Sequence, residues 1–162
     1  MKVVLQRVSE ASVDVVNELG DAGSHVRAAA DCPGFMILVG VTDEDGDKQI
    51  AWLAHKILNL RVFEDAQGKM NRSIQDIGGE ILSISQFTLF ADVHKGNRPS
   101  FIKAGKPEHA DFMWIKFDEA LRSGGVPVKE GRFGAHMRVG LVNDGPVTIV
   151  IDTEHDMPDG TR

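Results

Sequence analysis

The sequence predicts an α+β fold: a single domain with a mixed or antiparallel β-sheet or partial barrel and two helices, in the order β-β-β-α-β-β-α-β-β. Three observations predict it. The 162 residues suffice for one hydrophobic core and fall short of two ordinary domains. Stretches of period-two alternation outnumber helical stripes. Only two helical stripes are present, and two helices cannot cover both faces of a large parallel sheet.

In chain order, Val3, Leu5 and Val8 read as one side of an opening strand, with Gln6 and Arg7 breaking the apolar run. A Ser9–Glu10 turn leads into Ala11–Val16, which repeats the alternation, so the pair reads as a hairpin. Asn17–Cys32 carries Gly20 and Gly23 and reads as a loop or extended hairpin insertion. Gly34–Val41 is nearly all apolar, as a strand buried on both faces should be. After the acidic turn Asp43–Asp47, which suits a helix N-terminus, Ile50, Leu53, Ala54, Ile57 and Leu58 recur at helical spacing. Leu60–Phe63 reads as a short strand, Asp65–Gly68 as a turn and Glu80–Phe90 as the best strand of the middle region. Pro107 opens the second helix, Ala110, Met113, Trp114, Phe117, Ala120 and Leu121 form its buried stripe, and Gly124–Gly125 stop it. Strands near 136–142 and 147–152 flank the turn Asn143–Pro146. The domain is expected over 1–153, with 17–32 as an insertion and 154–162 as a polar, frayed tail.

Composition narrows the function. A formal charge of −6 excludes a protein that coats polyanions through many phosphate contacts. One local basic patch is still available: Lys95, Arg98, Lys103 and Lys106, with no acid between 95 and 106, read either as an anion contact or as a solvated loop. No apolar run approaches the ~20 residues of a membrane-spanning helix. Lys2, Gln6 and Arg7 interrupt any signal-like stretch at the start. The single cysteine, Cys32, allows no internal disulfide, and a reducing cytoplasm is the expected location. Its neighbours Asp31 and Pro33 argue against a thiolate nucleophile. Six histidines are scattered without the spacing of a helical zinc site, and neither a Walker loop nor a dinucleotide fingerprint occurs, so no metal or cofactor is expected.

Two segments carry chemistry. Ser85-Gln86-Phe87-Thr88 places two hydroxyls and an amide near a strand end. Strand parity puts Ser85 and Phe87 on one face and Gln86 and Thr88 on the other, so Ser85 and Thr88 reach one ligand only if the strand bends or ends between them. Otherwise they are solvent-facing strand residues. No base stands at a motif spacing from Ser85. An oxyanion hole of backbone amides would need no special side chain and would leave no trace in the sequence. Asn143-Asp144-Gly145-Pro146-Val147-Thr148 is compatible with ordinary turn chemistry. A Gly–Pro bond can also be cis, which would aim the neighbouring carbonyls the same way as a wall of acceptors for an α-amino group.

Ser85–Leu89, Arg98–Phe101, Gly131–Ala135 and Asn143–Thr148, with the opening Leu5–Val8 and Ala11–Val13, resemble the D-aminoacyl-tRNA deacylase family in order and spacing, over residues 1–16 and 33–152. The resemblance implies a homodimer with two active sites at the subunit interface and no DNA or membrane partner. Its substrate would be the ester between a D-amino acid, or glycine mischarged on tRNA-Ala, and the 3′-terminal adenosine of tRNA. Carried over by position, Ser85, Gln86, Phe87 and Thr88 line the pocket for adenosine and ester, and the N–H groups of Phe87 and Thr88 form the oxyanion hole. Gly145 and Pro146 correspond to a cis-proline motif that enters from the partner subunit and rejects L-amino acids. Phe133 and Met137 match positions lining the adenosine pocket. The implied mechanism uses water oriented by the ribose 2′-hydroxyl, and a covalent Thr88 is its rival. Asn17–Cys32 is longer than the connection expected of the family, and the tail after Asp152 looks additional. Two other readings stay open: a non-catalytic tRNA 3′-end-binding module using Lys95–Lys106, and a small-ester hydrolase using Ser85.

Overall fold

Alternating apolar residues make β1 (Lys2–Val16) the axis on which the sheet is hung. The computed structural model describes residues 1–16, 25–28 and 33–158, so the readings of Cys32, of most of the 17–32 insertion and of the end of the tail lie outside the described residues. On one side β1 pairs antiparallel with β8 (His136–Asp152) along almost its whole length. On the other it pairs with β3 (Gly34–Gly40) through Lys2–Val8 and with β2 (His25–Ala28) through Ala11–Asp14. β6 (Glu80–Ser85) joins β3 in parallel, and β7 (Val128–Glu130) joins β6 in parallel. β4 (Phe63–Glu64) and β5 (Met70–Arg72) form a separate antiparallel ribbon. The α+β class and the mixed sheet are as the sequence predicts.

The expected opening hairpin is instead one strand. Ser9 and Glu10 are exposed without reversing the chain, and the register against β8 slips between Gln6 and Val8 and again between Val8 and Glu10. Each slip changes which face a side chain meets. Val3 and Leu5 therefore pack with Phe35, Ile37 and the helices, whereas Val8, Ala11 and Val13 pack on the other side with Met36, Leu82 and Ile84. Val8 thus does not share the side of Val3 and Leu5. The distal half of β1 brings β2 close to β6 and β7, which gives the sheet the curl of a partial barrel.

Two helices cover one face. α1 (Asp47–Asn59) buries the five residues of its predicted stripe. α2 (Pro107–Ser123) has Pro107 in its first turn and buries Ala110, Met113, Trp114, Phe117 and Leu121. It also buries Asp118, a residue outside the predicted stripe, while Ala120 is half-buried. Four local readings change. The strand expected at Leu60–Phe63 is displaced to Phe63–Glu64. The strand expected to reach Phe90 ends at Ser85 and gives way to a 3-10 turn, Phe87–Phe90. The two final strands are one continuous β8, because pairing with β1 carries through the turn residues. The first residues of the tail pack: a short helix α3 (Thr153–Asp156) follows, Thr153 N–H donates to the Met1 carbonyl at 2.9 Å, and Met157 is buried.

Gly34 marks the closest approach of β3 to β6. A Cβ there would lie 2.1 Å from the Glu80 carbonyl oxygen, a main-chain atom that has no rotamer to change. Gly34→Ala is expected to cost about 2–3 kcal/mol of stability, seen as a fall of roughly 5–10 °C in a thermal melt. An unchanged melting temperature would show that the two strands have room to part.

Candidate active site

β6 is buried from Ile81 to Ile84 and emerges at Ser85. Gln86 keeps one sheet bond, its N–H to the Val39 carbonyl at 2.8 Å, and there the chain turns. Leu89 N–H donates to Gln86 O at 3.3 Å and Ala91 N–H to Thr88 O at 3.0 Å, closing the 3-10 turn. Gly40 makes this possible: a Cβ would lie 2.9 Å from the Phe90 ring and 3.2 Å from the Gln86 carbonyl. The strand therefore ends between Ser85 and Thr88, as parity requires if both are to face one ligand. Half-buried Ser85 and Gln86 and exposed Phe87 and Thr88 form a shelf, across which the Gln86 side-chain amide donates to the Thr88 hydroxyl. The N–H groups of Phe87 and Thr88 precede the turn's own first bond, so they are the two donors that a 3-10 start leaves over.

Phe101 meets Phe87 edge-on, with ring centres 5.0 Å apart. Between them the chain makes a loop pinched by two backbone bonds linking Asp92 and Ser100, at 2.7 and 2.9 Å. Lys95, Arg98, Lys103 and Lys106 are all exposed on this loop or just beyond it. Lys103 joins Lys2, His94, Leu89 and Phe90 around a hollow of about 750 Å³ beside the shelf, whose rim also carries Asp92, Asp152 and Glu154.

Phe133 lies in the β7–β8 connection, and Met137, at the start of β8, packs on Leu82 and Ile84 of β6. Gly131 N–H donates to the Ser83 carbonyl at 3.0 Å. A Cβ at Gly131 would stand 2.7 Å from Met137 Sδ and 3.0 Å from Ile84 Cδ1, so this glycine lets Met137 sit against β6 one residue before Ser85. Half-buried Phe133 packs on Trp114, with ring centres 6.2 Å apart.

Gly145 and Pro146 lie elsewhere. Between Gln6 and Val8 the partner register on β8 runs from Thr148 to Asn143, and the surplus residues form an excursion. The Gly145–Pro146 peptide bond is cis, and Gly145 sits at φ +132°, a conformation that L side chains rarely adopt. Arg7 holds the excursion from below: its Nε donates to the Asp144 carbonyl at 2.9 Å and its Nη1 to the Val62 carbonyl at 2.7 Å. Asn143 Oδ1 accepts the Val147 N–H at 3.1 Å, while its amide donates to Gln6 Oε1. Arg7 is the buried anchor of the excursion that sequence reasoning missed. Its signal was parity, since positions 3, 5 and 7 of a strand share a face and Val3 and Leu5 are buried.

One chain does not bring the two segments together. β1 and β3 separate β8 from β6, three strand spacings or about 14 Å. Along the strands, Arg7 is level with Phe35 and so with Ile81, four residues short of Ser85. β8 is a sheet edge with Val142 50% and Val150 60% exposed, an apolar surface of the kind that pairs with another chain.

Comparison with known proteins identifies the family. The family model described as D-Tyr-tRNA(Tyr) deacylase matches residues 4–152. The chain is 93% identical over 162 residues to a D-aminoacyl-tRNA deacylase of Bifidobacterium longum (strain DJO10A), with both chains covered in full. It is 54% identical over 152 residues to one from Exiguobacterium sp. (strain ATCC BAA-1283 / AT1b), covering 94% of this chain and 98% of the relative. A solved structure described as c-Myc DNA Unwinding Element Binding Protein is 42% identical with a TM-score of 0.81, covering 94% of this chain and 98% of that one. A probable eukaryotic D-amino acid tRNA deacylase, 18% identical with a TM-score of 0.76 over 93% of this chain and 97% of that one, shares the fold. With the family match spanning all but the chain's ends and relatives aligning from end to end, the chain belongs to the D-Tyr-tRNA(Tyr) deacylase family and is a hydrolase of the D-aminoacyl-tRNA deacylase type.

Proposed function

We propose that this hydrolase cleaves its D-aminoacyl-tRNA ester on the Ser85–Thr88 shelf, in a homodimer where the Gly145–Pro146 excursion of a second copy faces that shelf. The observation that carries the reading is the separation just described. The two segments stand three strands apart in one chain, one of them on an exposed edge strand, so a second copy is the simplest way to place them across one cleft.

On this reading the N–H groups of Phe87 and Thr88 donate to the ester carbonyl oxygen as water adds to its carbon, stabilising charge that exists only in the transition state. The bond from the carbonyl carbon to the ribose 3′-oxygen then breaks. The 3′-oxygen takes a proton, and the products are the free D-amino acid and tRNA. The substrate's 2′-hydroxyl orients the water, so Ser85 and Gln86 only shape the floor and Thr88 needs no chemical role for its hydroxyl. Main-chain carbonyls of the Gly145–Pro146 segment accept from the substrate's α-ammonium and leave no space for an L side chain. Such a filter ignores side-chain identity and admits glycine, including glycine on tRNA-Ala. Phe133 and Met137 hold the terminal adenine. Lys95, Arg98, Lys103 and Lys106 contact tRNA phosphates in a cytoplasmic, cofactor-free reaction without DNA or a membrane as partner.

Three outcomes follow. On one tRNA charged with D- or L-phenylalanine, the D-ester is expected to be cleaved at least about a hundredfold faster. Equal rates would remove the chiral filter, and salt-sensitive binding without turnover would leave a binding module. Thr88→Ala is expected to retain activity within about tenfold, whereas a 2′-deoxy terminal adenosine should slow cleavage about a hundredfold or more; the opposite pattern would make Thr88 the nucleophile. Finally, Phe87→Pro removes one oxyanion donor and Gly145→Val blocks the excursion, so each alone is expected to be inactive. Random mixing of the two should restore about a quarter of the wild-type sites, because half the dimers then carry one intact cleft; no recovery would place both segments in the same subunit's site.

A further inference from the structure

Asp118 is fully buried on the inner face of α2, and neither of its carboxyl oxygens makes a hydrogen bond of ordinary geometry, although the Ser83 hydroxyl stands close enough to act on it. A carboxylate sealed this way is costly unless something neutralises it. The groups beside it are the Ser83 hydroxyl from β6, the Glu130 carboxyl from β7 and the Arg122 guanidinium from the next turn of α2. α1, packed on the same helix, buries only Ile50, Leu53, Ala54, Ile57 and Leu58. Arg122 is already engaged with Glu130 and with the Val128 carbonyl, at 3.0 Å to the latter. Burial above all, with the negative Glu130 adding to it, pushes the Asp118 carboxyl up to about 8. Two carboxyl groups side by side attract only when one carries the proton.

The same cluster reaches the candidate site. Trp114, one helical turn before Asp118, donates its indole N–H to the Ser83 hydroxyl at 2.8 Å, and that hydroxyl keeps a hydrogen of its own to donate. Trp114 in turn supports Phe133. We infer that Asp118 is a positioning residue: buried beside Ser83 and Glu130, it fixes the Trp114 indole against Phe133 and so shapes the wall that holds the terminal adenine. This rests on the adenosine reading of Phe133 given above. Ionised, Asp118 repels Glu130 and demands solvation that the site cannot give, so α2 and β7 part and Trp114 loses its seat. The folded chain keeps this proton above the ordinary carboxylate value of 3.8, where the unfolded chain has lost it. The site's contribution to stability therefore declines as pH rises from that value to about 8 and is flat beyond.

The test uses the full-length chain with Trp52→Phe, so that Trp114 is the sole indole. Its emission should change in one step near pH 8. Asp118→Asn should abolish the step, and Glu130→Gln should move it to lower pH by removing the like charge. A stable probe, adenosine bearing D-phenylalanine through a 3′-amide, should bind about five- to tenfold more weakly above the step, and with pH-independent affinity in Asp118→Asn. A flat emission profile, a step that survives Asp118→Asn, or affinity that ignores the step would each overturn the inference. If Asp118→Asn fails to fold, an unmoved step in Glu130→Gln does the same. A probe that binds at no pH overturns the adenosine reading and the inference with it, while an intact emission step would still identify the Asp118–Trp114 coupling, so the two failures are distinguishable.

Discussion

The structure turns on one buried cation. Arg7 enters the core face of β1 in line with Val3 and Leu5, where an unpaired guanidinium would be untenable. Two carbonyls answer it, Val62 from the segment after α1 and Asp144 from β8, with the Asp144 carboxylate 3.8 Å away. Bonds to a charged donor are about twice as strong as neutral ones and directional, so they fix where the β8 carbonyl must be. The register slip opposite Arg7 is the consequence. β8 can meet both the ladder and the guanidinium only by lifting its surplus residues away from the sheet, and Gly145 and Pro146 are at the crest of that lift.

The other half of the site depends on what is missing rather than on what is charged. Gly40 and Gly131 stand where any Cβ would strike the 3-10 turn or Met137; the first admits the turn and the second brings backbone against β6. On the proposed reading the shelf offers N–H groups, and the excursion offers carbonyls. A site assembled from main chain on both sides is indifferent to the chemistry of the residues that carry it and sensitive to their geometry. In a single chain both segments lie open, and neither is an enclosed pocket.

Much of this was legible. Helical spacing of Ile50, Leu53, Ala54, Ile57 and Leu58 fixed α1 residue by residue, because a stripe packed on a sheet leaves no other pattern. The motif segments Ser85–Leu89 and Asn143–Thr148 contain the shelf and the excursion. Three features were not readable, each for a physical reason. Ser9–Glu10 looks like a turn only when its pairing partners, more than a hundred residues away on β8, are out of view. β7 has three residues, too few to display a period. Asp118 carries a charge at neutral pH in water, and nothing local announces that folding will remove it. Arg7 falls between these cases: it reads as a break in the apolar run, although parity with Val3 and Leu5 points it inward.

Binding loops ordinarily belong to the least stable part of a protein and open on their own. The Gly145–Pro146 excursion is built differently. Its first carbonyl is bound by Arg7, the same side chain that clasps Val62 beneath the core, and its two ends are laced to Gln6 through Asn143 and Thr148. These bonds tie its position to that of β1. Those anchors make it a rigid gauge rather than a lid.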